Sequence, residues 1–120
     1  MKNTKLWLIC AGVAIVQLIL GNAIVIYGEL SYLIGTHAVL AVILLILSVY
    51  GYTRVNANVQ KRILIGNIAL VITTSVLGYL WTIFYSPLIT LIHFFLALGV
   101  LSNFSVLYGL DRGSYQSPKA

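Results

Sequence analysis

The stretch LSYLIGTHAVLAVILLILSVYGY, residues 30–52, decides the fold. It is apolar almost throughout and contains no Asp, Glu, Lys or Arg. At 1.5 Å per residue, a helix of this length crosses the roughly 30 Å hydrocarbon core of a bilayer. The apolar run is continuous and does not alternate with period two, so it reads as a membrane helix and not as a barrel strand. Close to one end it carries a single imidazole, in the run His37-Ala38-Val39-Leu40-Ala41. A second apolar stretch, residues 87–109, carries His93-Phe94-Phe95-Leu96-Ala97. Two copies of H-x-x-L-A in alternate apolar segments are the most informative feature of the chain.

Composition agrees with a lipid solvent. Of 120 residues, 61% are hydrophobic and 8% charged, far too little polar surface for a water-soluble domain. In hydrocarbon, backbone polar groups must be paired internally, and unbroken apolar runs select helices. The single cysteine, Cys10, lies in the first apolar run, so there is no internal disulfide and no metal-binding C-x-x-C. The opening Met1-Lys2-Asn3-Thr4-Lys5 resembles the basic region of a signal peptide. The apolar run behind it is too long for one, and no small-x-small cleavage site closes it, so it reads as a retained helix. The net charge of +5 sits at the chain ends and in one loop. That placement excludes nucleic acid as a partner and makes the charge a determinant of orientation against lipid.

Four helices are expected, at about 6–27, 30–52, 63–84 and 87–109, within one membrane domain over 1–120. A polar loop at 53–62 joins the middle pair, and a polar tail at 110–120 lies on the surface or frays. The other two connections are so short that they force antiparallel neighbours. The fold class is therefore an all-α, four-transmembrane-helix, up-down-up-down bundle. Trp7, Tyr27, Tyr50 and Tyr52 read as interface anchors. The amides Gln17, Asn22 and Asn67 read as helix–helix glue. Lys2, Lys5, Arg54, Lys61, Arg62, Arg112 and Lys119 all avoid the two tight turns. The positive-inside rule then predicts a multi-pass protein of the cell membrane with both termini and the middle loop cytoplasmic. The halves also resemble each other: Leu20-Gly21 precedes His37 as Leu77-Gly78 precedes His93. They read as parallel repeats about an axis along the membrane normal, unlike the inverted repeats of many transporters.

His37 is six residues past Ser31 and His93 six past Pro87, so each lies roughly 9 Å into its helix. Helices 2 and 4 stand diagonally opposite in such a bundle, which lets the two rings face each other across its axis. A heme iron takes two axial side chains from opposite faces, and neutral imidazole costs far less in lipid than a charged ligand. His37 and His93 are thus expected as axial ligands of one heme, of b type or related. Ala41 and Ala97, one turn deeper, leave space for a porphyrin edge, and Gly21, Gly78 and Ser75 thin the flanking helices. The same residues also read as two packed, hydrogen-bonded histidines. A pair without a third ligand makes a poor zinc site. Only Tyr27, Tyr32, Thr36, Tyr85, Ser86 and backbone amides are placed to meet propionates, with Glu29 adding repulsion.

The pattern Gln17-Leu-Ile-Leu-Gly21, a turn, then His37-x-x-Leu40-Ala41 resembles one half of the heme A synthase family, including its compact archaeal forms with a single four-helix unit. The resemblance covers about residues 12–108. It implies heme-ligating histidines on the second and fourth helices, which by match are His37 and His93. The chain departs from the family at Ile34, where a glutamate would stand three residues before the first histidine. It also departs in its very short connection between the first two helices. The resemblance therefore implies a heme pocket without the family's catalytic carboxylate, and whether the protein is an enzyme stays open. The expected function is a heme-binding membrane protein, either a cytochrome-like electron-transfer subunit of a respiratory chain or a heme A synthase-like protein. The alternative is a non-catalytic accessory subunit of a respiratory or monooxygenase complex, with other membrane subunits as partners. Small multidrug exporters need an acid in the first helix, where this chain has Gln17 and no acid.

Overall fold

In a computed structural model describing residues 3–116, the chain forms four helices. They are α1 (Thr4–Tyr27), α2 (Ser31–Arg54), α3 (Asn58–Phe84) and α4 (Pro87–Gln116). Each is long and apolar enough to cross a membrane. Every helix packs on its chain neighbours, and α4 also packs on α1, which closes a square. The diagonal pairs, α1 with α3 and α2 with α4, face each other across the axis. The result is an up-down bundle 54 Å long and about 20 Å across.

A single spacing rule generates the core. On α1 the inward residues are Asn3, Trp7, Cys10, Ala14, Gln17, Gly21 and Ile24. On α3 they are Gln60, Leu64, Asn67, Val71, Thr74, Gly78 and Trp81. The steps alternate four and three, as at the seam of a left-handed bundle, where a 3.5-residue period keeps one stripe on the axis. Each α1 residue maps onto its α3 counterpart by adding 57. On α2 and α4 the buried sets Leu44, Ser48, Gly51, Val55 and Val100, Phe104, Leu107, Asp111 correspond by adding 56. The two hairpins are thus structural repeats, and His37 and His93 occupy equivalent positions in them.

The ends of the bundle differ. At the end holding the 55–57 connection, here the basic end, Lys5, Arg54, Lys61, Arg62 and Arg112 gather around a closely packed core. There Asp111 receives three hydrogen bonds. Trp7 Nε1 donates to Oδ2 at 2.7 Å, the Asn3 backbone N–H to Oδ2 at 3.1 Å, and Gln60 Nε2 to Oδ1 at 2.8 Å. One carboxyl thereby ties α4 to α1 and α3. A second polar layer follows: Asn103 donates to Asn67, Asn67 to Ser48, and Ser48 to the Leu44 carbonyl. Beyond it, Ala14, Leu44, Val71 and Val100 form a buried apolar layer. From there to the two-turn end the helices bury little. No residue of 31–43, 72–84 or 87–99 is fully buried.

Several sequence expectations change here. Trp7 is not an interface anchor: it is fully buried, its indole held by Asp111. The 53–62 stretch is mostly helical, because α2 runs to Arg54 and α3 starts at Asn58. Helix α4 continues past Gly109, with Asp111 buried at a seam position and Arg112 and Gly113 on the surface, so this part of the expected tail is helical. Residues 117–120 of that tail, with Met1 and Lys2, lie outside the described residues. Among the three amides, Gln17 and Asn67 face the core, but Asn22 is exposed on the outside of α1.

Gly51 has a specific cause. A Cβ built there would lie 2.8 and 2.9 Å from two Trp7 ring carbons. The ring cannot retreat, being fully buried and tied to Asp111. Replacing Gly51 with alanine is expected to destabilise the bundle by about 1–3 kcal/mol through overpacking. Denaturant titration in detergent micelles measures this, and an unchanged midpoint would contradict it.

Candidate functional site

The histidines lie in the half nearer the two turns. His37 on α2 and His93 on α4 are half-buried, with ring centroids 6.2 Å apart and planes tilted by 54°. The expected meeting of the two side chains across the axis is what the structure contains. Glycines on the flanking helices make room for each ring. A Cβ at Gly21 of α1 would lie 3.5 Å from His37 Cε1, and one at Gly78 of α3 would lie 3.1 Å from His93 Cε1. The glycines thus seat the imidazoles themselves. Ser75 does not contribute: it is exposed and donates its hydroxyl to the Val71 carbonyl on its own helix.

The hydrogen bonds fix one ring's chemistry. His93 Nδ1 lies 2.8 Å from the Thr74 backbone oxygen. A carbonyl only accepts, so Nδ1 carries the proton and Nε2 keeps a free lone pair. Metal-ligating histidines also donate their second nitrogen to a backbone carbonyl, as packed structural histidines do. On the other side, His37 Nδ1 is buried without a hydrogen-bond partner, as is Gln17 Oε1 on α1. These are the two orphaned buried side-chain atoms among the described residues. Every other buried polar side chain near the axis sits in the satisfied layers at the basic end.

A centroid spacing of 6.2 Å is compatible with two imidazoles sharing one ion and equally with two packed rings. No group of three or more His, Cys, Asp or Glu among the described residues could enclose a metal. What the described residues bring together here is two imidazole donors, and any metal held by them would have to bring its other ligands.

No family model, curated protein or solved structure matches this chain. The site must accordingly be read from its own residues.

Around the mouth, Ile34 is half-buried one turn before His37, and no carboxylate replaces it. Glu29 and Tyr85 link the two turns, the phenol donating to Glu29 Oε2 at 3.2 Å. The Glu29 charge, with this bond, pushes the Tyr85 phenol above its ordinary value. Trp81 stacks edge-on against Tyr85, with centroids 5.5 Å apart. Sequence reasoning named His37 and His93 but missed the Thr74 carbonyl, which held no signal beyond its place in the seam. It also missed the buried role of Asp111, which the four-three spacing through Val100, Phe104 and Leu107 could have revealed.

Proposed function

We propose that this chain holds one heme between α2 and α4, with His37 and His93 as axial ligands. The observation that carries the reading is the imidazole pair across the axis, 6.2 Å apart, with His93 Nδ1 bonded to a backbone carbonyl. The orphaned His37 nitrogen and the half-buried setting of both rings support it. A heme bound there supplies one-electron transfer. The chain's own part is to hold two neutral donors, to fix the His93 tautomer through Thr74, and to seal the site from the basic end with Ala14, Leu44, Val71 and Val100. The absence of an acid at Ile34 favours electron transfer over the hydroxylation expected of a heme A synthase-like protein. Purified protein supplied with heme should give a Soret band that shifts on reduction. It should vanish in the His37→Ala/His93→Ala double variant, and a colourless wild-type protein would end the reading.

The accessory-subunit reading has its own observation. Asn22 turns an amide outward within the apolar span of α1, where a neighbouring membrane subunit would satisfy it. Isolation of the chain from its native membrane as a lone species would count against that role.

The basic end is proposed to be cytoplasmic, with the protein in the cell membrane, because Lys and Arg gather at the termini and on either side of the 55–57 connection, as Arg54, Lys61 and Arg62. A fluorescent reporter that folds only in the cytoplasm should be bright when fused to the C-terminus and dark when inserted at residue 29.

A further inference from the structure

The repeat makes the two histidines comparable position by position, and the comparison exposes a difference. In the second half, His93 is pinned. Its Nδ1–H donates to the Thr74 carbonyl at 2.8 Å, and Gly78 confines its edge, with Cε1 3.1 Å from where a Cβ would stand. The counterparts of Thr74 and Gly78 in the first half are Gln17 and Gly21, each 57 residues earlier. There the same construction is left incomplete. His37 Nδ1 has no partner, Gly21 stands off at 3.5 Å, and the Gln17 side-chain oxygen is also unpaired. Gln17 is 9% exposed, one helical turn from the glycine that His37 touches, and on the same inward stripe.

Buried polar atoms in folded proteins are satisfied by protein or by ordered water, and leaving one unpaired costs about 1–3 kcal/mol. Two such atoms on the neighbouring helices α1 and α2, with none among the described residues of α3 or α4 in this half, mark a place suited to a hydrogen-bonding occupant. Its chemistry follows from the atoms. Gln17 Oε1 only accepts, so the occupant must donate a hydrogen bond, which excludes apolar molecules and simple anions. His37 Nδ1 donates or accepts according to tautomer, so it can pair with either a donor or an acceptor on the occupant. Water suits both atoms, as does a small neutral hydroxyl compound. The Ala14, Leu44, Val71 and Val100 layer closes the route from the basic end, so the occupant exchanges through the two-turn end.

We propose that the two histidines are unequal. His93 is the anchored member, whereas His37 and Gln17 frame a subsite for one small neutral hydrogen-bonding molecule, water in the resting protein. His37 can change tautomer or turn its ring without breaking a bond to the protein, and His93 cannot. This stands on the metal-free chain. Its consequence for ligation, that His37 is the replaceable ligand, rests on the heme reading.

The metal-free protein, labelled with 15N-histidine and held in micelles, tests the inference by ring-nitrogen NMR. His93 should show one tautomer with a slowly exchanging Nδ1 proton, and His37 should exchange with water about tenfold faster or more. Gln17→Met should move the His37 resonances and leave those of His93 in place. Equal exchange at the two rings overturns the proposal, as does a folded Gln17→Met protein in which His37 is unmoved. Should that variant fail to fold, the wild-type exchange contrast decides alone. With heme supplied, added imidazole should restore the wild-type spectrum to His37→Gly but not to His93→Gly, and equal rescue overturns the inequality. If the wild-type protein takes up no heme, the heme reading fails while the exchange contrast still tests the subsite.

Discussion

Replacing Asp111 with leucine is expected to destabilise the bundle by about 3–5 kcal/mol, since three buried donors lose their acceptor at once. Trp7 Nε1, Gln60 Nε2 and the Asn3 backbone N–H all end on this carboxyl. Trp7 is fully buried, and Asn3 and Gln60 are 8% and 9% exposed, so water is poorly placed to substitute. Asp111→Asn should cost less, because its remaining carbonyl oxygen can still accept from Trp7 or Gln60. The ordering of wild type above asparagine above leucine is read by denaturant titration in micelles. A leucine variant as stable as wild type would mean that the network contributes nothing net. The loss should also fall on the basic end. The histidine pair lies beyond the Ala14, Leu44, Val71 and Val100 layer and should keep its geometry for as long as the bundle stays folded.

The glycine cradles yield the second large effect, and it is unequal between the halves. Gly78→Leu is expected to push His93 off the Thr74 carbonyl. Its Cβ alone would come within 3.1 Å of Cε1 and 3.6 Å of Nδ1, and the added branch needs the space the ring occupies. Loss of the hydrogen bond that orients a metal-binding histidine typically costs 10–100-fold in affinity, so heme uptake should fall by about that factor or more. Gly21→Ala puts its Cβ 3.5 Å from His37, an ordinary contact, and should leave uptake unchanged. Absorbance titration with heme distinguishes the two. Unfolding is a minor risk, because the substitutions fall where the helices bury little and both favour helix over glycine. Equal uptake by Gly78→Leu and wild type would show that His93 does not need its seat on α3.

The sequence by itself determined the solvent, the number of helices and their alternating direction. Those follow from one-dimensional facts: apolar runs long enough to cross lipid, and connections too short for anything but an antiparallel return. It also placed His37 and His93 at one depth, because each is counted from a turn and helices rise by a fixed amount per residue. What it could not reach were properties of the space between helices. Trp7 at the start of an apolar run reads as an interface anchor, and only the glycine at position 51 on the neighbouring helix α2 lets it sink inward. Asp111 reads as part of the polar tail, and although its spacing from Leu107 marks a seam position, the donors from α1 and α3 that meet it there exist only in the assembled bundle. Thr74 contributes to the site a backbone oxygen that every residue possesses. It becomes the partner of His93 solely because α3 packs beside α4 in this register. Length and hydropathy are additive along a chain. Which polar atom finds a partner depends on several segments arriving at one point, and that was decided only when the four helices closed.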